Sequence, residues 1–219
     1  NKTILTLHHK VLLKMESSKE YLDQLAEIRR MMEKSNKFMS LSGFSGIFLG
    51  LYALVGSYLV WNILGKITMT ESQKILFITG IATMVLVASL VTALWLSIRK
   101  AKRSDQQIWG PGSKQLLFNL MLPLATGGVF VLLLAAGRFF QLIAPSLLVF
   151  YGLALVIASR FTHRELYWAG VTQILLGLVA LALPRYALFF WAVGFGGVHI
   201  VYGLYIYYAH ERESRNSRR

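Results

Sequence analysis

Three side chains have the right types and spacing to do chemistry: Gln173, His199 and Tyr202. Each is polar, and each falls inside a long apolar stretch. An imidazole, a carboxamide and a phenol gathered at membrane depth would line a polar cavity for a ligand or a conducted solute. The same groups would also serve as a hydrogen-bonded contact between packed helices, worth about 0.6 kcal/mol on average. Gly196 lies one turn before His199 and Gly203 one turn after it, with Tyr207 and His210 further along the same face. Glycines on such a face let another helix backbone come close. Gln173 belongs to the preceding apolar stretch, across a tight link, so a hydrogen bond between Gln173 and His199 is expected.

Missing residue types narrow the chemistry further. The 219 residues include no Cys, which excludes disulfides, thiolate metal sites and a Cys nucleophile. Of five histidines only His199 lies in an apolar stretch, and His8 and His9 are adjacent near the start. A membrane metal site of several histidines is therefore not expected, and neither is a cofactor. No Gly-x-Ser-x-Gly or His-Glu-x-x-His occurs, and no paired carboxylates fall in the apolar stretches. Asp, Glu, Lys and Arg are absent from those stretches apart from Lys74 at an edge. Ion-coupled transporters and pumps keep such groups at depth although each costs about 3 kcal/mol or more. The expectation is a protein that is not an enzyme.

Six apolar stretches must position these residues: 38–64, 74–98, 115–136, 140–159, 166–183 and 187–208. About 20 apolar residues cross a bilayer core. The chain is 55% hydrophobic and 15% charged, against roughly 25% charged in soluble domains. The fold class expected is all-α: a polytopic membrane protein of six transmembrane helices. In the first stretch Ser42, Gly46, Gly50 and Ala53 follow at steps of four, four and three. That small-xxx-small pattern marks close helix packing. Short links near 137–139 and 184–186 make hairpins of the third and fourth stretches and of the fifth and sixth. Tyr151-Gly152-Leu153 recurs as Tyr202-Gly203-Leu204, with Ala158 matching Ala209, a faint sign of repetition.

Six spans put both termini on one side, which then holds nineteen of the 23 basic residues. Lys66, Lys74, Arg138 and Arg185 fall on the other side. Such bias identifies the cytoplasmic face. The net charge of +13 thus points to anionic lipid headgroups rather than nucleic acid. Arg99, Lys100, Lys102 and Arg103 form the densest headgroup patch. Trp61, Trp95, Trp109, Trp168 and Trp191 sit at or beside the ends of stretches, as an interfacial aromatic belt requires.

Before the first stretch, residues 1–14 read as a weakly structured extension and 15–37 as a cytoplasmic amphipathic helix. Ser17 and Glu20 make a capping box, and Tyr21, Leu25, Ile28 and Met32 line one apolar face. That face suits the membrane surface, a protein partner or a second copy. Residues 209–219 form a basic tail.

The run EIRRMMEKSNKFMSLSGFSGIFLGLYALVGS at 27–57 resembles the start of a group of small, uncharacterised multi-span bacterial inner-membrane proteins. The run GLVALALPRYALFFWAVGFGGVHIVYG at 177–203 is similar to the six-span acid-resistance membrane protein family. These resemblances imply a multi-pass protein of the bacterial inner membrane and assign no catalytic or ligand residue. The function expected is partner binding, sensing or a part in envelope stress. The alternative is a small-solute transporter or channel with a polar path near Gln173 and His199.

Overall fold

The computed structural model describes residues 43–66, 68–103, 111–162 and 164–211, together with Tyr21, Gln24, Leu25, Glu27 and Ile28. The chain divides into two units, 1–37 and 38–219. In the first unit the five described residues are helical and exposed. Tyr21, Leu25 and Ile28 are thereby placed, whereas Met32 and the Ser17 cap lie outside the described residues, as do Ser42, the 1–14 extension and most of the basic tail.

Among the described residues of the second unit every regular element is a helix. We name α1 (Gly43–Leu64), α2 (Glu71–Arg103), α3 (Pro111–Ala136), α4 (Ile143–Ala158) and α5 (Leu166–Ala182). A final rod follows, built from α6 (Ala187–Trp191), a π-helical segment (Ala192–Val198), α7 (His199–Ile206) and a second π-helical segment (Tyr207–Glu211). Among the described residues five helices are long and apolar enough to cross a membrane, one of them Pro184–Ala209 in the final rod. The apolar helix α5 has 17 residues and is shorter. At 1.5 Å per residue it rises about 26 Å, just under the roughly 30 Å hydrocarbon core.

Local chemistry sets the helix ends. The Thr70 backbone N–H donates to Gln73 Oε1 at 3.0 Å, and the Gln73 N–H donates to Thr70 Oγ1 at 3.3 Å. This capping box starts α2 at Glu71, three residues earlier than apolarity alone suggests. Lys74 then pairs with Glu71 at 3.0 Å on the first turn. With 33 residues α2 rises about 50 Å, longer than the hydrocarbon core is thick. Its far end carries Arg99, whose guanidinium lies 5.4 Å from the Trp95 ring centre. Helix α3 closes in a Schellman motif: Phe139 N–H donates to Leu134 O at 2.8 Å, and Arg138 N–H to Ala135 O at 3.1 Å. Arg138 takes the left-handed position, φ 63°, normally given to Gly. Gly137, one residue earlier, leaves room for the Phe139 ring, which a Cβ there would meet at 2.8 Å.

Apolar lipid competes evenly with apolar helix faces, so helices in a bilayer associate where backbones approach closely. Two antiparallel seams do this. Helix α1 buries Gly43, Ser45, Gly46, Gly50, Ala53, Gly56 and Ser57, a face of small residues. A Cβ on Gly43 would lie 2.6 Å from Gly203 O, one on Gly46 3.0 Å from Gly203 Cα, and one on Gly50 2.6 Å from Gly196 O. The second seam joins α4 to α5, where a Cβ on Gly152 would lie 2.7 Å from Gly170 O and one on Gly177 3.0 Å from Pro145 O. The outer helices attach to these pairs. Helix α2 leans on α1, with Val85 over Gly56 and Tyr52 Oη 3.4 Å from Thr92 Oγ1. Helix α3 leans on α4, where the Phe130 and Phe150 rings are 5.4 Å apart.

Candidate functional site: a buried polar node on the final rod

The final rod changes its winding where it meets α4 and α5. Between α6 and α7 the seven residues Ala192–Val198 are π-helical. The stretch contains Gly194, Gly196 and Gly197, so little side-chain bulk resists the wider turn. π-Helical turns are rare and recur at functional sites.

The Gly194 carbonyl is the centre of the node. Gln173 Nε2 on α5 donates to it at 2.9 Å, and His199 Nδ1 lies 3.2 Å from it. On the other side of the ring, His199 Nε2 is 2.7 Å from Tyr151 Oη on α4. A carbonyl oxygen only accepts, so Nδ1 carries the imidazole proton. Nε2 is then the acceptor for the Tyr151 hydroxyl. Three elements are thereby tied at one point: α4 through Tyr151, α5 through Gln173 and the final rod through His199. Gln173 is completely buried and His199 is 8% exposed. A Cβ on Gly194 would run into Gln173 Oε1 and Leu148 Cδ2, so a larger residue there would have to displace those two side-chain ends.

Aromatic rings surround the imidazole. Phe195 stacks on His199 at 5.9 Å and 14°, and Tyr151 and Trp191 each lie 5.0 Å from Phe195. Two polar atoms near the node have no hydrogen-bond partner although buried: Gln173 Oε1 and Tyr202 Oη. Tyr202 packs with Tyr151 against the buried cluster of Leu155, Ala158 and Leu166.

The residues named from sequence are thus placed as follows. Gln173 and His199 come together, joined through the Gly194 carbonyl rather than by the direct bond expected between them. Tyr202 is close by without sharing the node's hydrogen bonds. Gly46, Gly50, Gly196 and Gly203 all lie in the seam between α1 and the final rod, and Ala53 is buried on the same helix. Arg99, Lys100 and Lys102 sit in the last turns of α2, with Arg99 and Lys102 exposed and Lys100 half-buried. The Arg103 side chain lies outside the description. Tyr151 is not among the site residues expected from sequence, although Tyr151-Gly152-Leu153 belongs to the faint repeat. Gly194 is not among them either, and the dense glycines of 194–197 were the available signal. Among the described residues no three His, Asp or Glu side chains gather in a way that would hold a metal ion. Set against protein-family models, curated proteins and solved structures, the chain matches none.

Proposed function

We propose that this chain is a six-span protein of a bacterial inner membrane, with both termini cytoplasmic, and that it binds partners or senses a condition there, as an envelope-stress component would. On this reading α5 completes the span count by tilting little, and the basic surplus on one side sets the orientation. The exposed stripe Tyr21, Leu25 and Ile28, continued in sequence by Met32, is the partner or self-association face within 17–37. Arg99, Lys100, Lys102 and Arg103 meet anionic headgroups. One observation carries the reading: both ring nitrogens of His199 are engaged by the chain's own groups, Tyr151 Oη and Gly194 O. Groups committed in this way hold three helices together and leave little for a substrate. The test places a photo-crosslinking residue at Leu25 in membranes of cells making the protein. A discrete protein adduct, or a dimer, supports the reading, and lipid adducts alone overturn it.

A second reading, a small-solute transporter or channel, is favoured by the buried, unpartnered Gln173 Oε1 and Tyr202 Oη. Its path would pass Gln173 and His199. Solute flux in proteoliposomes that falls in Gln173→Leu supports it, and flux equal to that of protein-free vesicles excludes it.

A further inference from the structure

Helix α5 has two faces along its whole length. On one, Gly170 and Gly177 lie against α4, and Gln173 donates to the Gly194 carbonyl of the final rod at 2.9 Å. On the other, Trp168, Thr172, Leu175, Val179 and Ala182 are exposed from the first turn to the last. Trp168 is 69% exposed and Leu175 57%. Charges bound this outward stripe closely, Arg164 and Glu165 before it and Arg185 after it. The 17 helical residues between them rise about 26 Å, short of the roughly 30 Å hydrocarbon core. Tilting cannot make up the difference, because a tilted helix reaches less far across the bilayer. Sliding is blocked as well, since the contacts at Gly170, Gln173 and Gly177 pin α5 at successive turns. Helix α4 across the seam, with 16 residues, is no longer. Helix α2 is the opposite case. Its uncharged run 75–98 rises about 36 Å. None of its most apolar stretch is buried. A tilt of about 30° fits that run to the core, within the usual range for membrane helices.

We propose that the outward face of α5 is a docking surface for phospholipids with short acyl chains, and that the bilayer thins beside it. The inference rests on the reading of α5 as a span and needs no partner at 17–37. Longer chains meet this face in one of two ways. They compress to the height of α5, or they draw the charges at its ends into hydrocarbon. Arg164 and Arg185 are exposed and snorkel outward, and the Trp168 indole settles at headgroup level. The ends of α5 therefore hold their depth, and the lipid gives way. A short chain covers the stripe without compression. Each ångström of mismatch carries a cost, and that cost selects among lipids. No such selection arises at α2, whose excess height is taken up by tilt. The molecule thus offers its lipid two heights, a fixed short one at α5 and an adjustable tall one at α2.

The chain has no Cys, so one introduced thiol carries a fluorophore without interference. The test uses the full-length variants Leu175→Cys on α5 and Leu86→Cys on the exposed side of α2, each labelled and reconstituted in phosphatidylcholine vesicles. Brominated lipids with chains of roughly 14 or roughly 22 carbons, which quench the label on contact, compete with an unbrominated lipid of about 18 carbons. Quenching in each brominated lipid alone sets the scale. At Leu175→Cys the short chain should associate about twofold more strongly than the long one, the scale of a few ångströms of mismatch. At Leu86→Cys the ratio should stay near one. A ratio of one or below at Leu175→Cys, with quenching intact, overturns the inference and leaves α5 a span. An equal short-chain preference at both positions overturns it too, because the preference would then belong to the whole perimeter. No quenching at Leu175→Cys in any lipid overturns it together with the reading of α5 as a lipid-facing span. A disulfide between two copies of the unlabelled variant would then identify a second copy as the occupant.

Discussion

Gly152 lies against Gly170 across the α4–α5 seam, and Gly203 lies against Gly43 across the seam of α1 with the final rod. Gly152 and Gly203 are each the middle of a Tyr-Gly-Leu tripeptide. In both seams the missing Cβ lets one backbone rest on another. The tyrosine before the glycine fares differently in the two places. Tyr151 Oη meets His199 Nε2 at 2.7 Å, whereas Tyr202 Oη is buried with no partner. The glycine's role follows from the local backbone alone, so it repeats. The tyrosine's role depends on which side chain stands opposite, so it does not.

That contrast can be broken or sharpened by substitution, with stability followed as thermal unfolding in detergent micelles. The largest effect is expected at the shared feature. Gly152→Leu and Gly203→Leu should each cost about 3 kcal/mol, because the new side chain meets backbone that cannot step aside. Similar losses at both sites would show that the seams are equivalent, and a loss at one alone would break the comparison. The tyrosines should separate next. Tyr151→Phe leaves His199 Nε2 unpaired in the core and should cost about 1–2 kcal/mol. Tyr202→Phe removes a buried hydroxyl without a partner and should be neutral or slightly stabilising. Gln173→Leu should cost about 0.6 kcal/mol, the usual worth of one interhelical hydrogen bond in a bilayer. Leu90→Ala on the exposed side of α2 should change stability by less than about 0.5 kcal/mol, since no buried contact is lost.

The apolar helices and the glycine-rich faces were legible in the sequence because both depend on residue type along a single helix. Gly46-x-x-x-Gly50 announces a close approach wherever the partner comes from. Gln173 and His199 were legible as candidates because polar groups are rare in such stretches. Their meeting point was not. The Gly194 carbonyl is a backbone atom, and its position depends on the π-helical winding of Ala192–Val198, which apolar periodicity does not encode. The α2 start was missed for another reason: Thr70 and Gln73 form a polar cap just outside the apolar run that defined the span.

The account rests on the arrangement Gly194 O, His199, Tyr151, and the proton position on the neutral ring tests it most directly. ¹⁵N NMR of the His199 ring at neutral pH, in protein with that histidine alone, reports which nitrogen bears hydrogen. A protonated Nδ1 with a bare, hydrogen-bonded Nε2 is the expected result, and the Nε2 signal should shift toward an unbonded value in Tyr151→Phe. A proton on Nε2 in the unmodified node would leave Nδ1 facing the Gly194 carbonyl with no hydrogen between them, and would contradict the account.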